Sequence, residues 1–379
     1  MADLITHYNV NGTWKDGYWD QNVGDPGSAG PMTLFKLGGY QLTSANYESA
    51  DSLHHILSLG VGHKALFLDD TINAGQAAGG RLAGFDVING NSGGQIIDLT
   101  SQSLKYGDVT INGGKGNDIL MSNVGNDSIK GGAGDDYLWG GTGNDSLNGG
   151  TGNDTVLGGI GDDQLLGGKG NDLLDTGAGN DTANAGSGND TVVAGTGNKS
   201  LNGGSGDDTL DLSKISGMAD IDSCKHVLAI VADGETYVSK ISSFETIIGT
   251  DQGNMFEGAK SHAMTLIGGA GNDHFHSLGS GDTYAGNGGA DVFQWLKVHE
   301  IGEHKADVVK DFQVGKDHLD LSDFLMGQGD LKHPGYDQVV KLDDRDEGTM
   351  VLVRAGGDFH EAGMLMGVHG ANLGDLLLH

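Results

Sequence analysis

The chain has 379 residues, 70 of them Gly and only 3 Pro, with 52 acidic against 21 basic side chains and a formal net charge of −31. Such a charge excludes nucleic acid and anionic membrane as natural partners, since both repel an acidic surface, and it favours cations. The single cysteine, Cys224, excludes an internal disulfide and a four-thiolate metal site, and no apolar run is long enough for a membrane-spanning helix. So much Gly with so little Pro points to a regular array of tight turns rather than a disordered linker.

Residues 1–80 read as a small aromatic-containing module, with Trp14 and Trp19 beside Tyr8, Tyr18, Phe35, Tyr40 and Tyr47. The opening Met1-Ala2-Asp3-Leu4 lacks the basic and apolar regions of a cleavable secretory signal. Ser44 to Leu59 has helical spacing, with Ser44 placed as an N-cap and Gly60 as a stop. Residues 81–112 read as capping coils. Within them Gly90-Asn91-Ser92-Gly93-Gly94 matches the nucleophile elbow G-x-S-x-G, but the run that follows, Gln95-Ile96-Ile97-Asp98-Leu99-Thr100, reads as a strand where the elbow needs a helix.

Residues 113–213 carry an internal repeat. Aspartate recurs every nine residues at Asp118, Asp127, Asp136, Asp145, Asp154, Asp163, Asp172, Asp181, Asp190 and, after a Lys199 interruption, Asp208. Two residues after each lies an apolar side chain, from Leu120 and Ile129 to Val192 and Leu210. Gly precedes each aspartate by two residues, and Gly-Gly often opens the unit, as in Gly131-Gly132-Ala133-Gly134-Asp135-Asp136-Tyr137-Leu138-Trp139. A generic flexible linker has no fixed Asp slot.

This unit is similar to the GGxGxDxUx nonapeptide of the RTX (repeats-in-toxin) family. The resemblance implies an all-β fold, a calcium-bound parallel β-roll in which six residues turn, three form a strand, and two units complete a coil. Calcium, a hard cation that takes oxygen ligands, would then sit between stacked turns. Alternate units would stack as one row of Asp118, Asp136, Asp154, Asp172, Asp190 and Asp208 and a second of Asp127, Asp145, Asp163 and Asp181. That arrangement implies about eight ions, with the second row ending at Lys199, whose ammonium cannot be a ligand. Strands stack about 4.8 Å apart. Neighbouring carboxylates therefore repel by roughly 1 kcal/mol even in water. Folding is accordingly expected to require the metal.

Residues 214–260 alternate apolar and polar positions, as around Val227 to Val231, and read as irregular β coils. A second short roll over 261–297 keeps the nine-residue period at Asp273, Asp282 and Asp291, implying a few more calcium ions. Residues 298–379 resemble the β-rich C-terminal target domain of type I secretion substrates, through Asp307-Val308-Val309-Lys310-Asp311-Phe312, Gly315-Lys316-Asp317 and Leu319-Asp320-Leu321-Ser322-Asp323-Phe324. The likeness is strongest to the C-terminal modules of large bacterial RTX adhesins. His299-Glu300-Ile301-Gly302-Glu303-His304 lacks the spacing of either zincin motif and reads as a surface loop.

The resemblance implies a non-enzymatic, calcium-binding protein exported by type I machinery to the outside or surface of a Gram-negative bacterium, with a glycan or cell-surface ligand as partner. Two other readings stand beside it: a self-assembling surface-layer or matrix protein, and a secreted enzyme with its active site in residues 1–105.

Overall fold

Each nine-residue unit combines a Gly-rich turn with a short extended run whose middle side chain points inward. In Tyr137–Thr142, Leu138 is fully buried while Tyr137 faces out. Eighteen residues later the pattern returns, and the strands pair in parallel with Tyr137 opposite Thr155, Leu138 opposite Val156 and Trp139 opposite Leu157. Units on the opposite wall do the same, with Leu147 between Ile129 and Leu165.

The computed structural model describes residues 87–90, 92–100, 107–259, 262–278, 281–295, 305–322, 340–355 and 358–377, with four further strands at 33–37, 47–50, 54–58 and 64–68. Two largely parallel sheets of 16 strands face each other and enclose a single apolar seam. Leu120, Leu138, Val156, Leu174, Val192 and Leu210 form one side of that seam, and Ile111, Ile129, Leu147, Leu165, Ala183 and Leu201 the other. The expected all-β parallel roll is therefore present. The helix Leu373–Leu376 is a single turn. Among the described residues no helix is long and apolar enough to cross a membrane.

The helix expected over 44–59 is not formed. Tyr47–Ala50 and His54–Ser58 are antiparallel strands, and His54–Ser58 pairs in parallel with Val87–Asn89 of the first irregular coil. A short apolar run fits either period, and here a ladder partner distant in sequence decides between them. Thr33–Leu37 and Lys64–Leu68 likewise join the other sheet through Gln95–Asp98. Trp14, Trp19, Tyr8, Tyr18 and Tyr40 lie outside the described residues.

After the last regular unit, a three-stranded antiparallel meander is inserted into one sheet. Glu235–Ser242 continues the ladder from Ser200–Ser205, Val227–Ala232 turns back, and Gly217–Asp222 hands the sheet on to Met255–Glu257. The other sheet passes directly from Thr209–Asp211 to Thr246–Ile248. A second meander, Val340–Arg345, Gly348–Ala355 and Asp358–Met366, ends that other sheet by pairing with Asp307–Val309.

Candidate metal centre

The turns position the aspartates. In Gly131 to Asp136, Gly132 and Gly134 have φ of +122° and +125°, a region that side chains other than Gly rarely enter. A Cβ on Gly132 would stand 2.1 Å from the carbonyl oxygen of Gly114 in the coil before, so close stacking of turns also requires Gly. A Cβ on Gly131 would meet Asp136 Oδ2 at 2.4 Å and the Gly149 carbonyl oxygen at 2.7 Å. The bare glycine thus leaves a cradle between stacked turns, lined by a carboxylate and a backbone oxygen.

The two oxygens of each aspartate have different surroundings. Oδ1 accepts the backbone N–H of the aspartate one coil earlier: Asp118 to Asp136, Asp136 to Asp154, Asp154 to Asp172, Asp172 to Asp190 and Asp190 to Asp208, all at 2.7–2.8 Å. The second row repeats this from Asp127 to Asp145, Asp163 and Asp181 at 2.7–2.9 Å. Oδ2 faces the cradle. For Asp118, Asp127, Asp136, Asp145, Asp154, Asp163, Asp172, Asp190 and Asp208 it is buried with no hydrogen-bond donor. Rows of buried, unpartnered carboxylate oxygens demand a cation.

The comparisons with known proteins agree with that chemistry. The family model for the RTX calcium-binding nonapeptide repeat (4 copies) matches residues 105–129, 121–156, 148–183, 157–192 and 184–213. Over this span the chain carries RTX calcium-binding nonapeptide repeats. A second family model, the serralysin C terminal of peptidase family M10, matches residues 239–373. No curated protein matches the chain. Among solved structures, the extracellular lipase LipA from Serratia marcescens is similar at 15% identity, covering 64% of this chain and 40% of the lipase, with a TM-score of 0.16. The chain therefore spans less than half of the lipase's length.

The donor set of the RTX turns fits calcium. It consists of carboxylate and backbone carbonyl oxygens, the ligands a hard divalent cation takes. Among the described residues no three His, Cys, Asp or Glu side chains converge on one point, so each cradle depends on backbone oxygens to complete a coordination shell. Burial, reinforced by the charge of neighbouring aspartates, pushes Asp118 up to about 8 and Asp136, Asp145 and Asp172 up to about 7. Asp154 and Asp163 are raised to about 6 by the same burial. Calcium ions held by Asp118 to Asp208 in one row and Asp127 to Asp163 in the other would offset the charge of these carboxylates and supply the missing partner of each Oδ2.

In the second run the aspartates sit in the same rows with different partners. Asp291 has Oδ1 bonded by the Asp273 N–H at 2.9 Å and Oδ2 buried without a donor, as in the main roll. Asp273 Oδ2 accepts from the Gly269 N–H at 3.0 Å, and Asp282 Oδ2 from the Tyr284 hydroxyl at 3.0 Å. The rows continue through two aspartates that the nine-residue count does not reach. Asp307 accepts from the Asp282 N–H, 25 residues away, and Asp317 from the Asp291 N–H, 26 residues away. Asp307 also accepts from the Ser277 hydroxyl, and Asp317 from the Gln313 N–H.

Glu245 was also out of reach of the count. Its Oε2 accepts from the Asp208 N–H at 2.7 Å, 37 residues away, and so takes the place of the next aspartate in the first row. An outer ladder runs alongside in the opposite direction: the N–H of Asp135 donates to Asn117 Oδ1, that of Asn153 to Asp135 Oδ1, and that of Asn171 to Asn153 Oδ1. The Asn or Asp preceding each ladder aspartate was its visible sign. Ser92 bridges to Lys115 between the strands Val87–Asn89 and Gln95–Asp98, so the G-x-S-x-G segment is a strand-to-strand turn. The His299 to His304 segment lies outside the described residues.

Proposed function

We propose that this chain is an extracellular, calcium-folded RTX protein exported by a type I system, and that it serves without catalysis as the C-terminal module of an adhesin or similar surface protein. The observation that carries the reading is the series of buried Oδ2 atoms without donors along both turn rows. Calcium is scarce in a cytosol and plentiful outside, so a chain whose core closes only around calcium can leave the cell unfolded and fold beyond it. The match of residues 239–373 to the serralysin C terminal supports a secretion role for the region 298–379. Residues 1–80 are left as the part that meets a glycan or another surface.

In this reading the ligands are the Oδ2 atoms of Asp118, Asp127, Asp136, Asp145, Asp154, Asp163, Asp172, Asp190 and Asp208, with Asp291 in the second run, while Asp181, expected as a ligand, has its Oδ2 bonded by the Lys199 ammonium. Their stacking leaves about eight positions in the main roll. Asp273 and Asp282 join only where calcium displaces the Gly269 and Tyr284 donors.

The test is a calcium titration of metal-stripped protein followed by far-UV circular dichroism, with magnesium as control. A cooperative gain of β signal on the order of 10⁻⁴–10⁻³ M calcium is expected. Full β structure without calcium in mildly alkaline buffer, where the ladder carboxyls are ionised, would overturn the reading. Deleting residues 1–80 is expected to leave that transition in place and to abolish surface binding, whereas calcium-dependent filaments in light scattering would favour self-assembly.

A further inference from the structure

Asp181 differs from its neighbours in the ladder. It is the one member of the main run whose Oδ2 has a donor, and the donor is the ammonium of Lys199 at the same turn position one coil later. The same Nζ donates to the carbonyl oxygens of Gly179 at 2.7 Å, Thr196 at 2.9 Å and Gly177 at 3.0 Å. Gly177, Gly179 and Asp181 are the second, fourth and sixth residues of one turn, and Thr196 is the third of the next. Four oxygens from two stacked turns therefore converge on one positive atom. Both side chains of the pair are fully buried.

We infer that the Lys199 ammonium is a tethered cation, fixed in the gap where the other turns of its row take calcium, so that this coil junction closes without metal. The inference rests on the calcium reading of the other gaps.

Charge and hydrogen bonding both support the assignment. The ammonium sets a fixed positive charge directly against the one carboxylate oxygen that faces this gap, where a divalent ion would stand in the others. An isolated buried ammonium is costly, and the cost is offset only where a carboxylate and further acceptors surround it. Here three N–H donors face four oxygens, so no donor is wasted. The backbone holds the position too: Lys199 N–H donates to Ser239 Oγ at 2.9 Å, and its carbonyl oxygen accepts from Lys240 N–H at 2.9 Å, so the first meander docks directly on this turn.

The far border of the meander carries a neutral version of the same device. Asn254 stands at the sixth position of the turn 249–254, and its Nδ2 donates to the carbonyl oxygens of Thr250 and Gln252, both at 2.9 Å. Those are again the second and fourth residues of a turn. The third acceptor is Asp273 Oδ1 at 2.7 Å. Protein N–H groups thus occupy the turn at both places where the sheet passes into and out of the meander.

The test counts ions in Lys199→Asp and wild-type chains by equilibrium dialysis against radioactive calcium, with circular dichroism to confirm folding. Lys199→Asp is expected to bind one more calcium per chain than wild type. An unchanged count in a folded variant overturns the inference. A second measurement uses the wild-type chain and does not depend on the variant folding: anomalous diffraction from calcium-loaded crystals. Calcium peaks beside Asp145 and Asp163, with none between the turns 176–181 and 194–199, support it. A calcium peak there, with Lys199 displaced, overturns it. No calcium at any gap would instead sink the calcium reading beneath it.

Discussion

The backbone N–H of Asp136 donates to Oδ1 of Asp154 at 2.8 Å, across the 18 residues of one full coil. One carboxylate oxygen thereby fixes the register between coils, while the other, Oδ2, is left facing the cradle without a donor. Stacking and metal binding are two uses of the same side chain. An ion bound at Oδ2 would hold in place the aspartate that receives the coil before it, so loading along a row is expected to be cooperative.

These two uses separate on substitution. Asp154→Ala removes both, leaving the Asp136 N–H buried without an acceptor, a loss of about 1–3 kcal/mol beyond the lost ligand. Asp154→Asn keeps an oxygen for that N–H but puts an amide NH2 where Oδ2 faced the cradle, so only the metal-binding use is lost. Both variants are expected to raise the calcium midpoint of folding, with Ala well above Asn. Calcium titration by circular dichroism checks this, and equal midpoints would show that Oδ1 contributes nothing to register.

Acidity is expected to fold the metal-free roll. Burial raises the ladder carboxyls from the ordinary 3.8 to about 6 for Asp154 and Asp163, about 7 for Asp136, Asp145 and Asp172, and about 8 for Asp118. Between those values the folded roll holds more protons than the unfolded chain. Its stability is therefore greatest below the ordinary carboxylate pKa and is lost as pH rises through about 6–8. In metal-free buffer the β signal should be stronger at about pH 5 than at about pH 8. With calcium the order reverses, because protons then compete with the ion. A metal-free β signal that grows with pH would refute this.

Glycines in the turns are not interchangeable with those in the meanders. Gly159 has a φ of +114°, and a Cβ there would lie 2.1 Å from the Gly141 carbonyl oxygen, a backbone atom that cannot swing away. Gly234 has a φ of +82° with nothing within 4 Å of the added carbon. Gly234→Ala carries only the left-handed backbone penalty of roughly 1–2 kcal/mol. Gly159→Ala adds the collision and is expected to split the stack, with a calcium transition of reduced amplitude. Thermal melts in excess calcium compare the two, and similar melting temperatures would contradict the close stacking of turns.

The roll was legible wherever the period of nine was unbroken, because Asp118 to Asp208 announce the slot, the face and the stacking partner at once. Glu245, Asp307 and Asp317 join the same rows, yet insertions put them 37, 25 and 26 residues from their partners, where a count by nine does not land. Lys199 was visible as an interruption, but nothing in its spacing says that its ammonium turns back toward Asp181. The strands Tyr47–Ala50 and His54–Ser58 were misread as helix for a related reason: their conformation is decided by pairing with one another and with Val87–Asn89, which local periodicity does not record.

The second run is expected to depend less on metal than the first. Of its aspartates, Asp273, Asp282, Asp307 and Asp317 have both carboxylate oxygens engaged by protein groups, and Asp291 alone keeps the donorless Oδ2. Its core is also larger. Phe275 stacks on Phe256 at 4.9 Å and on Phe293 at 5.0 Å, nearly parallel to both, with Tyr284 tilted against it at 5.4 Å. Such rings bury far more apolar surface per coil than the Leu and Val of the main roll. Hydrogen exchange in metal-free buffer is therefore expected to find residues 262–295 protected after 113–213 have exchanged. Phe275→Ala opens the stack at its centre, costing about 3–5 kcal/mol. It should erase that difference in protection while leaving the calcium-dependent folding of 113–213 intact. Equal exchange of both runs in the wild-type chain would mean that the aromatic stack does not substitute for calcium.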